Sequence, residues 1–88
     1  MSGALQGFTA VITGGAKGIG LAIARRLAAD GAVLGLIGRD AAALERAASE
    51  LGARSAVADV TDHAALRAAI ASFSRCDILI NNAGAAVS

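Results

Sequence analysis

Thr13-Gly14-Gly15-Ala16-Lys17-Gly18-Ile19-Gly20 lies between a short apolar run, Ala10-Val11-Ile12, and an amphipathic run that begins at Ile19. The glycines therefore fall where a strand turns into a helix. The first turn of a helix leaves backbone N–H groups without intrahelical partners and carries a partial positive charge, and glycines let an anion approach the backbone with no Cβ in the way. The stretch reads as a phosphate cradle. A second apolar run, Ala32–Ile37, follows at the distance expected of a strand–helix–strand unit of roughly 30 residues.

Outward from this turn, apolar strands alternate with helical periodicity. The first strand is expected over Thr9–Thr13, after a polar leader from Met1 to Gly7. The first helix is expected over Gly18–Asp30: Ile19, Ile23 and Leu27 recur every four residues with Ala22 beside them, Arg25 and Arg26 fall outside, and Gly31 stops it. The second strand, Ala32–Ile37, is apolar without alternation, as a strand buried on both faces should be. Asp40 is placed to cap a second helix that carries Leu44, Ala47, Ala48 and Leu51 and ends at Gly52. A third strand is expected over Ser55–Ala58. A third helix, capped by Thr61 or Asp62, carries Leu66, Ala69, Ile70 and Phe73, and a fourth strand over Asp77–Ile80 runs into Asn81-Asn82.

The order β-α-β-α-β-α-β, with connections too long for hairpins, predicts an α/β fold: one domain over residues 1–88 with an open, partial doubly wound parallel sheet in order 3-2-1-4 and helices on both faces. Ligand is expected outside the carboxyl ends of the strands, at the switch point between strands one and four.

The spacing of Gly14, Gly18 and Gly20 is G-x-x-x-G-x-G, neither G-x-G-x-x-G nor a P-loop, because no Gly-Lys-Ser/Thr follows. Preceded by Thr13, it resembles the classical subgroup of the short-chain dehydrogenase/reductase family, a Rossmann-type fold. Asp59-Val60 and Asn81-Asn82-Ala83-Gly84 match that family's other cofactor-side motifs in the right order. The resemblance implies that Gly14, Gly15 and Gly18 form the turn over a dinucleotide's pyrophosphate, with the Ile19 N–H at the helix start, and that Gly20 lets the helix pack closely on the sheet. Lys17 reads either as a solvated loop charge or, the favoured reading, as a cation facing the adenosine phosphate. Asp59 is implied as acceptor for the adenine amino group, with the Val60 N–H on the ring nitrogen; its bland alternative is a cap for the third helix. Asn82-Ala83-Gly84 resembles the segment beside the nicotinamide-side ribose, with one of Asn81 and Asn82 tying neighbouring strands together.

The end of the second strand bears on the choice of carrier. NAD-binding relatives place an acid there, which would repel a 2′-phosphate. This chain has Gly38 at that place, followed by Arg39, a guanidinium fork able to hold phosphate bidentately. Asp40 is the rival claim, answered by helix capping. NADP is therefore expected over NAD.

Composition excludes other classes. Net charge is +1 with seven scattered Arg, so no basic stripe suits nucleic acid. The chain is 56% hydrophobic with two Phe and neither Trp nor Tyr, so the core must be built from Ala, Val, Leu and Ile. No apolar stretch reaches the length of a membrane span, no leader pattern opens the chain, and the lone Cys76 cannot form an internal disulfide; a soluble cytoplasmic protein is expected, with Cys76 as a buried packing residue. His63 has no suitably spaced second ligand, so no metal site is expected.

In the resembled family a Tyr passes the proton, a Lys four residues later lowers its pKa, and a Ser polarises the carbonyl. This chain has no Tyr, its one Lys lies in the glycine turn, and Ser88 follows directly on the strand-four motif. No catalytic residue is therefore assigned. The resemblance spans the amino-terminal half or less of a typical member, and the reading is the cofactor-binding part of a 3-oxoacyl reductase-like, sugar or polyol oxidoreductase, with the carboxyl-terminal half missing and a homo-oligomer as the intact form. The alternative is a stand-alone nucleotide-binding or regulatory module without catalysis.

Overall fold

The computed structural model describes residues 3–82. Its elements, in chain order, are β1 (Thr9–Thr13), α1 (Gly18–Ala29), β2 (Val33–Gly38), α2 (Ala41–Leu51), β3 (Arg54–Val57), α3 (His63–Ala71) and β4 (Ile78–Asn81). The sheet is parallel throughout in the order β3-β2-β1-β4, so β1, whose five residues are all buried, has a strand on either side. Thr13 is level with Ile37 of β2 and Asn81 of β4, which brings the ends of three strands to one rim.

Alternation along the strands divides the core into two layers. Ala10, Ile12, Leu34 and Leu36 face α1 and α2, packing against Ala24, Leu44 and Ala47. Val11 and Ile37 face the other way, onto Ala69 of α3 and Phe73 just past its end. Full burial of an aliphatic side chain such as Ile12, Leu36 or Leu44 stabilises by about 1.5–3 kcal/mol, and these positions carry much of the fold's stability. Gly35 is required on the α3 face: a Cβ there would lie 2.9 Å from the Phe73 ring.

The caps follow the expected chemistry. Asp40 accepts from the Ala43 N–H at 3.1 Å to start α2, and Gly52, at φ 63°, ends it in the left-handed conformation that glycine adopts at little cost. Of the two residues proposed to cap α3, Asp62 does so, through Ala65 N–H at 3.1 Å. The leader is not a free tail. The N–H groups of Gly3 and Leu5 both donate to the Asp30 carbonyl, at 3.0 and 2.9 Å, folding the leader over the end of α1. The starts of β1 and β4 are clamped reciprocally: Asp77 N–H donates to the Thr9 carbonyl at 2.8 Å, and Thr9 N–H donates to the Asp77 carboxylate at 2.8 Å.

Three expectations need correction. Helix α1 buries Gly20 and Ala24, while Ile19 is 74% exposed and Ala22 also faces outward. Ile23 and Leu27 of the expected stripe do pack, half-buried, against the core, while the fully buried positions of the helix are small residues. Cys76 is exposed, not buried, since β4 begins two residues after it and Cys76 lies in the irregular connection before the strand. The second strand is not covered along its whole length: it starts at Val33, which is 56% exposed, beside the leader.

Candidate functional site

The glycine turn, Asp59-Val60 and Asn81-Asn82 stand at the ends of β1, β3 and β4, and Gly38 ends β2 between them, so all four reach one rim of the parallel sheet. Gly14 begins the turn at φ 68°, a conformation L side chains rarely adopt, and its N–H donates to the Ile37 carbonyl at 2.7 Å, extending the β1–β2 ladder by one residue. Gly14 thus aims the turn and spends its own amide on the sheet. Gly15 is buried against Leu36 and Ile12, where a Cβ would come within 2.8 Å of the Leu36 side chain. Gly18 opens α1 at φ 54°.

Gly20 packs against the turn itself, and against Asn82 just past β4. A Cβ on it would strike the Gly14 carbonyl and lie 2.7 Å from the Asn82 amide nitrogen. Asn82 donates through that nitrogen to the Gly14 carbonyl at 3.4 Å, while the Thr13 hydroxyl donates to Asn81 Oδ1 at 3.0 Å. The two asparagines therefore divide the work: Asn81 ties β4 to β1, and Asn82 ties the end of β4 to the glycine turn. Ala83 and Gly84 lie outside the described residues.

The start of α1 differs from those of the other two helices. Both α2 and α3 are capped by an aspartate, whereas the N-cap of α1 is Lys17, which makes no side-chain cap; none of the three helices carries an acid in its first turn. A helix start without a side-chain acceptor or a carboxylate suits an incoming anion. Ile19 places its backbone in this first turn and its side chain outside.

Beside the turn is a cleft of about 220 Å³ lined by Gly14, Ala16, Lys17, Gly38, Arg39, Asp40 and Leu44. Gly38 holds the end of β2, and its carbonyl accepts from Ala58 N–H at 2.9 Å, joining the β3 end to the same rim. Lys17 Nζ lies 3.0 Å from Asp40 Oδ2 across the cleft. The Ala43 N–H, and after it the Lys17 ammonium, hold the Asp40 carboxyl below its ordinary range. Asp59 accepts from both the hydroxyl and the N–H of Thr61, at 2.7 and 2.9 Å, and these bonds keep its carboxyl low, with a smaller contribution from the Arg39 guanidinium. Asp59 is thus an ionised acceptor closing a local turn, not the α3 cap, and Val60 follows it within that turn. Sequence reasoning missed the Lys17–Asp40 pair, whose only signal was opposite charge on residues 23 positions apart.

Among the described residues no helix is long and apolar enough to cross a membrane, and no group of three His, Cys, Asp or Glu could hold a metal ion.

Residues 8–88 match the family model described as short chain dehydrogenase. Galactitol 2-dehydrogenase (L-tagatose-forming) from Cereibacter sphaeroides is 53% identical over 88 residues, covering 93% of this chain and 35% of the relative. Among solved structures, the Pseudomonas aeruginosa RhlG/NADP active-site complex superposes with TM-score 0.83 at 37% identity, covering 93% of this chain and 36% of the other. A 3-oxoacyl-[acyl-carrier protein] reductase with bound NAD from Brucella melitensis gives TM-score 0.83 at 32% identity, covering 92% and 34%. The chain thus spans about a third of the length of these relatives. With that match over residues 8–88, a β3-β2-β1-β4 sheet and the glycine turn at its switch point, the chain belongs to the short-chain dehydrogenase family of NAD(P)-using oxidoreductases.

Proposed function

We propose that this chain is the cofactor-binding part of an oxidoreductase that moves a hydride between NADP(H) and a carbonyl/alcohol pair, in the manner of a 3-oxoacyl reductase. The observation that carries the choice of NADP is the cleft at the end of β2. Gly38 stands there without a carboxylate, and Arg39 and Lys17 supply two cations to the lining. A charge-assisted contact to a 2′-phosphate contributes about 1.5–3 kcal/mol, or one to two decades in affinity. Gly15, Gly18 and the Ile19 N–H would receive the pyrophosphate, Asp59 and Val60 the adenine, and Asn82-Ala83-Gly84 the nicotinamide-side ribose.

When bound, the carrier supplies the hydride; this chain's residues bind and orient it. The relatives named above bear the names of a polyol dehydrogenase and an oxoacyl reductase, and both chemistries interconvert a carbonyl and an alcohol. The chain has no Tyr and its one Lys is Lys17, so by itself it transfers no hydride in this reading, and it works in the cytoplasm joined to a carboxyl-terminal half in a homo-oligomer.

Titration calorimetry with NADPH and NADH tests the assignment. NADPH is expected to bind ten- to a hundredfold more tightly, at roughly the ratio one charge-assisted contact allows, and Arg39→Ala to remove most of that ratio. Equal or tighter binding of NADH overturns it. NADPH oxidation by the purified chain with a panel of ketones, above buffer background, would refute the predicted lack of turnover.

A further inference from the structure

Asp40 lines the same cleft as the two cations, and its two oxygens do different jobs. Oδ1 accepts from Ala43 N–H at 3.1 Å and starts α2, while Oδ2 meets Lys17 Nζ at 3.0 Å. Helix capping explains the first contact and leaves the second unexplained. An uncharged Ser or Asn caps a helix as well as Asp does, so the charge at this position is not needed for α2.

The charge does affect the cleft. Lys17 and Arg39 bring two positive charges and Asp40 cancels one, and the carboxylate holds the very ammonium best placed to meet an anion at the glycine turn. Both partners of the pair are substantially exposed, at 69% and 48%, so the pair is weak and an arriving phosphate can compete for Lys17. Once Lys17 turns to the phosphate, Asp40 is left as a like charge on the same cleft. A 2′-hydroxyl suffers no such repulsion.

We propose that Asp40 is a counter-charge in the dinucleotide cleft that, by holding Lys17, limits how strongly this chain prefers the phosphorylated carrier over the unphosphorylated one. The proposal rests on the NADP reading above, and deepens it: Arg39 sets the direction of the preference, and the Lys17–Asp40 pair sets its size.

The test is titration calorimetry of the wild-type chain and its Asp40→Asn, Lys17→Met and Arg39→Ala variants with NADPH and NADH. Asn keeps an oxygen for the Ala43 N–H and loses the acceptor for Lys17, and circular dichroism checks that α2 is retained. Should Asp40→Asn not fold, Asp40→Ser, another capping residue, takes its place. The expected result for Asp40→Asn is NADPH bound about three- to tenfold more tightly at low salt, an NADH affinity within about twofold of wild type, and a gain that shrinks as ionic strength rises toward about 1 M. Adding Lys17→Met to Asp40→Asn should cancel most of the gain. A purely structural role for Asp40 would weaken both carriers together and show no dependence on salt.

An unchanged NADPH/NADH ratio in Asp40→Asn, while Arg39→Ala lowers it, overturns this inference and leaves the NADP reading standing. Loss of NADH affinity in Asp40→Asn also overturns it, because Asp40 would then be an acceptor for ribose hydroxyls. A wild-type chain that prefers NADH, or binds neither carrier, overturns the NADP reading and this inference together.

Discussion

The Gly14 carbonyl occupies the place where a β-carbon on Gly20 would lie. This contact joins the glycine turn to the helix that follows it and sets how near α1 comes to that turn. A side chain at position 20 must push the helix off the turn, and Asn82, whose amide also approaches that position, moves with it. Gly20→Ala is therefore expected to destabilise the chain by about 1–3 kcal/mol, the usual cost of overpacking where backbone must give. In a domain of this size that lowers the melting midpoint by at least several degrees, at roughly 4–8 °C per kcal/mol. A variant that melts with wild type would show that the close approach is not needed.

Gly35 and Phe73 should be energetically coupled across the other layer. A Cβ at position 35 would lie 2.9 Å from the Phe73 ring, so Gly35→Ala presses on a side chain that can be exchanged. Gly35→Ala alone is expected to cost about 1–3 kcal/mol, and Phe73→Leu to recover part of that loss. A double-mutant cycle by urea denaturation should return a coupling of about 0.5–3 kcal/mol. Strict additivity would mean the ring is not what the new methyl meets.

Thr13→Val tests the tie between β1 and β4. Valine keeps the shape at a buried position but removes the hydroxyl that donates to Asn81 Oδ1 at 3.0 Å. The expected loss is about 1 kcal/mol, with a larger effect on amide hydrogen-exchange protection in β4 than in β3. Equal loss of protection in both strands would contradict a local tie.

Acid should unfold the chain through carboxylates that the folded state holds ionised. Asp77 is kept below its ordinary range first by the Thr9 N–H and then by Arg75, Asp40 by Ala43 and Lys17, Glu50 by Arg25, and Asp59 by Thr61. A group with a depressed folded pKa contributes stability that is present above its unfolded value, about 4, and lost as pH falls through the folded value. Melting midpoints are thus expected to be flat from pH 7 down to about 5 and to fall steeply below about 4, with a shallower fall in Asp77→Asn. An acid slope unchanged by that substitution would remove Asp77 from the account.

Apolar surface left open should drive association. Val57 on β3 is 61% exposed and Leu79 on β4 is 50% exposed, both on the outer strands, and Ile19 opens an apolar stripe with Ile23 and Leu27 along α1. Unpaired strand edges with apolar side chains favour self-association. Light scattering is expected to show a mass rising with micromolar concentration, and a sharp monomer across that range would contradict it.

Much of the fold was legible because the signals are local. The run from Thr9 to Thr13, the glycine turn, Asp40 and Gly52 each specify their conformation through neighbours a few residues away, and the strand boundaries move by only a residue or so. The gathering of the motif residues was legible for the same reason: each follows or ends a parallel strand, and parallel strands end at one rim. The buried face of α1 was read only in part: Ile23 and Leu27 pack on the core, but periodicity weighs large side chains, whereas close approach selects small ones, here Gly20 and Ala24. Cys76 was misread because burial depends on what stands opposite, which neighbouring residues in the sequence do not reveal; among the described residues it is exposed.

By itself, then, the order of residues determined the alternation of strands and helices, the sheet order and the position of the glycine turn, since periodicity, capping and glycine conformation act over one or two turns of chain. Only the tertiary structure decided that Asn81 holds Thr13 while Asn82 holds Gly14, that the leader closes over Asp30, and that Lys17 faces Asp40 across the cleft. Each of those contacts joins residues more than twenty positions apart, and such pairs meet only once packing has fixed the distances between the elements that carry them.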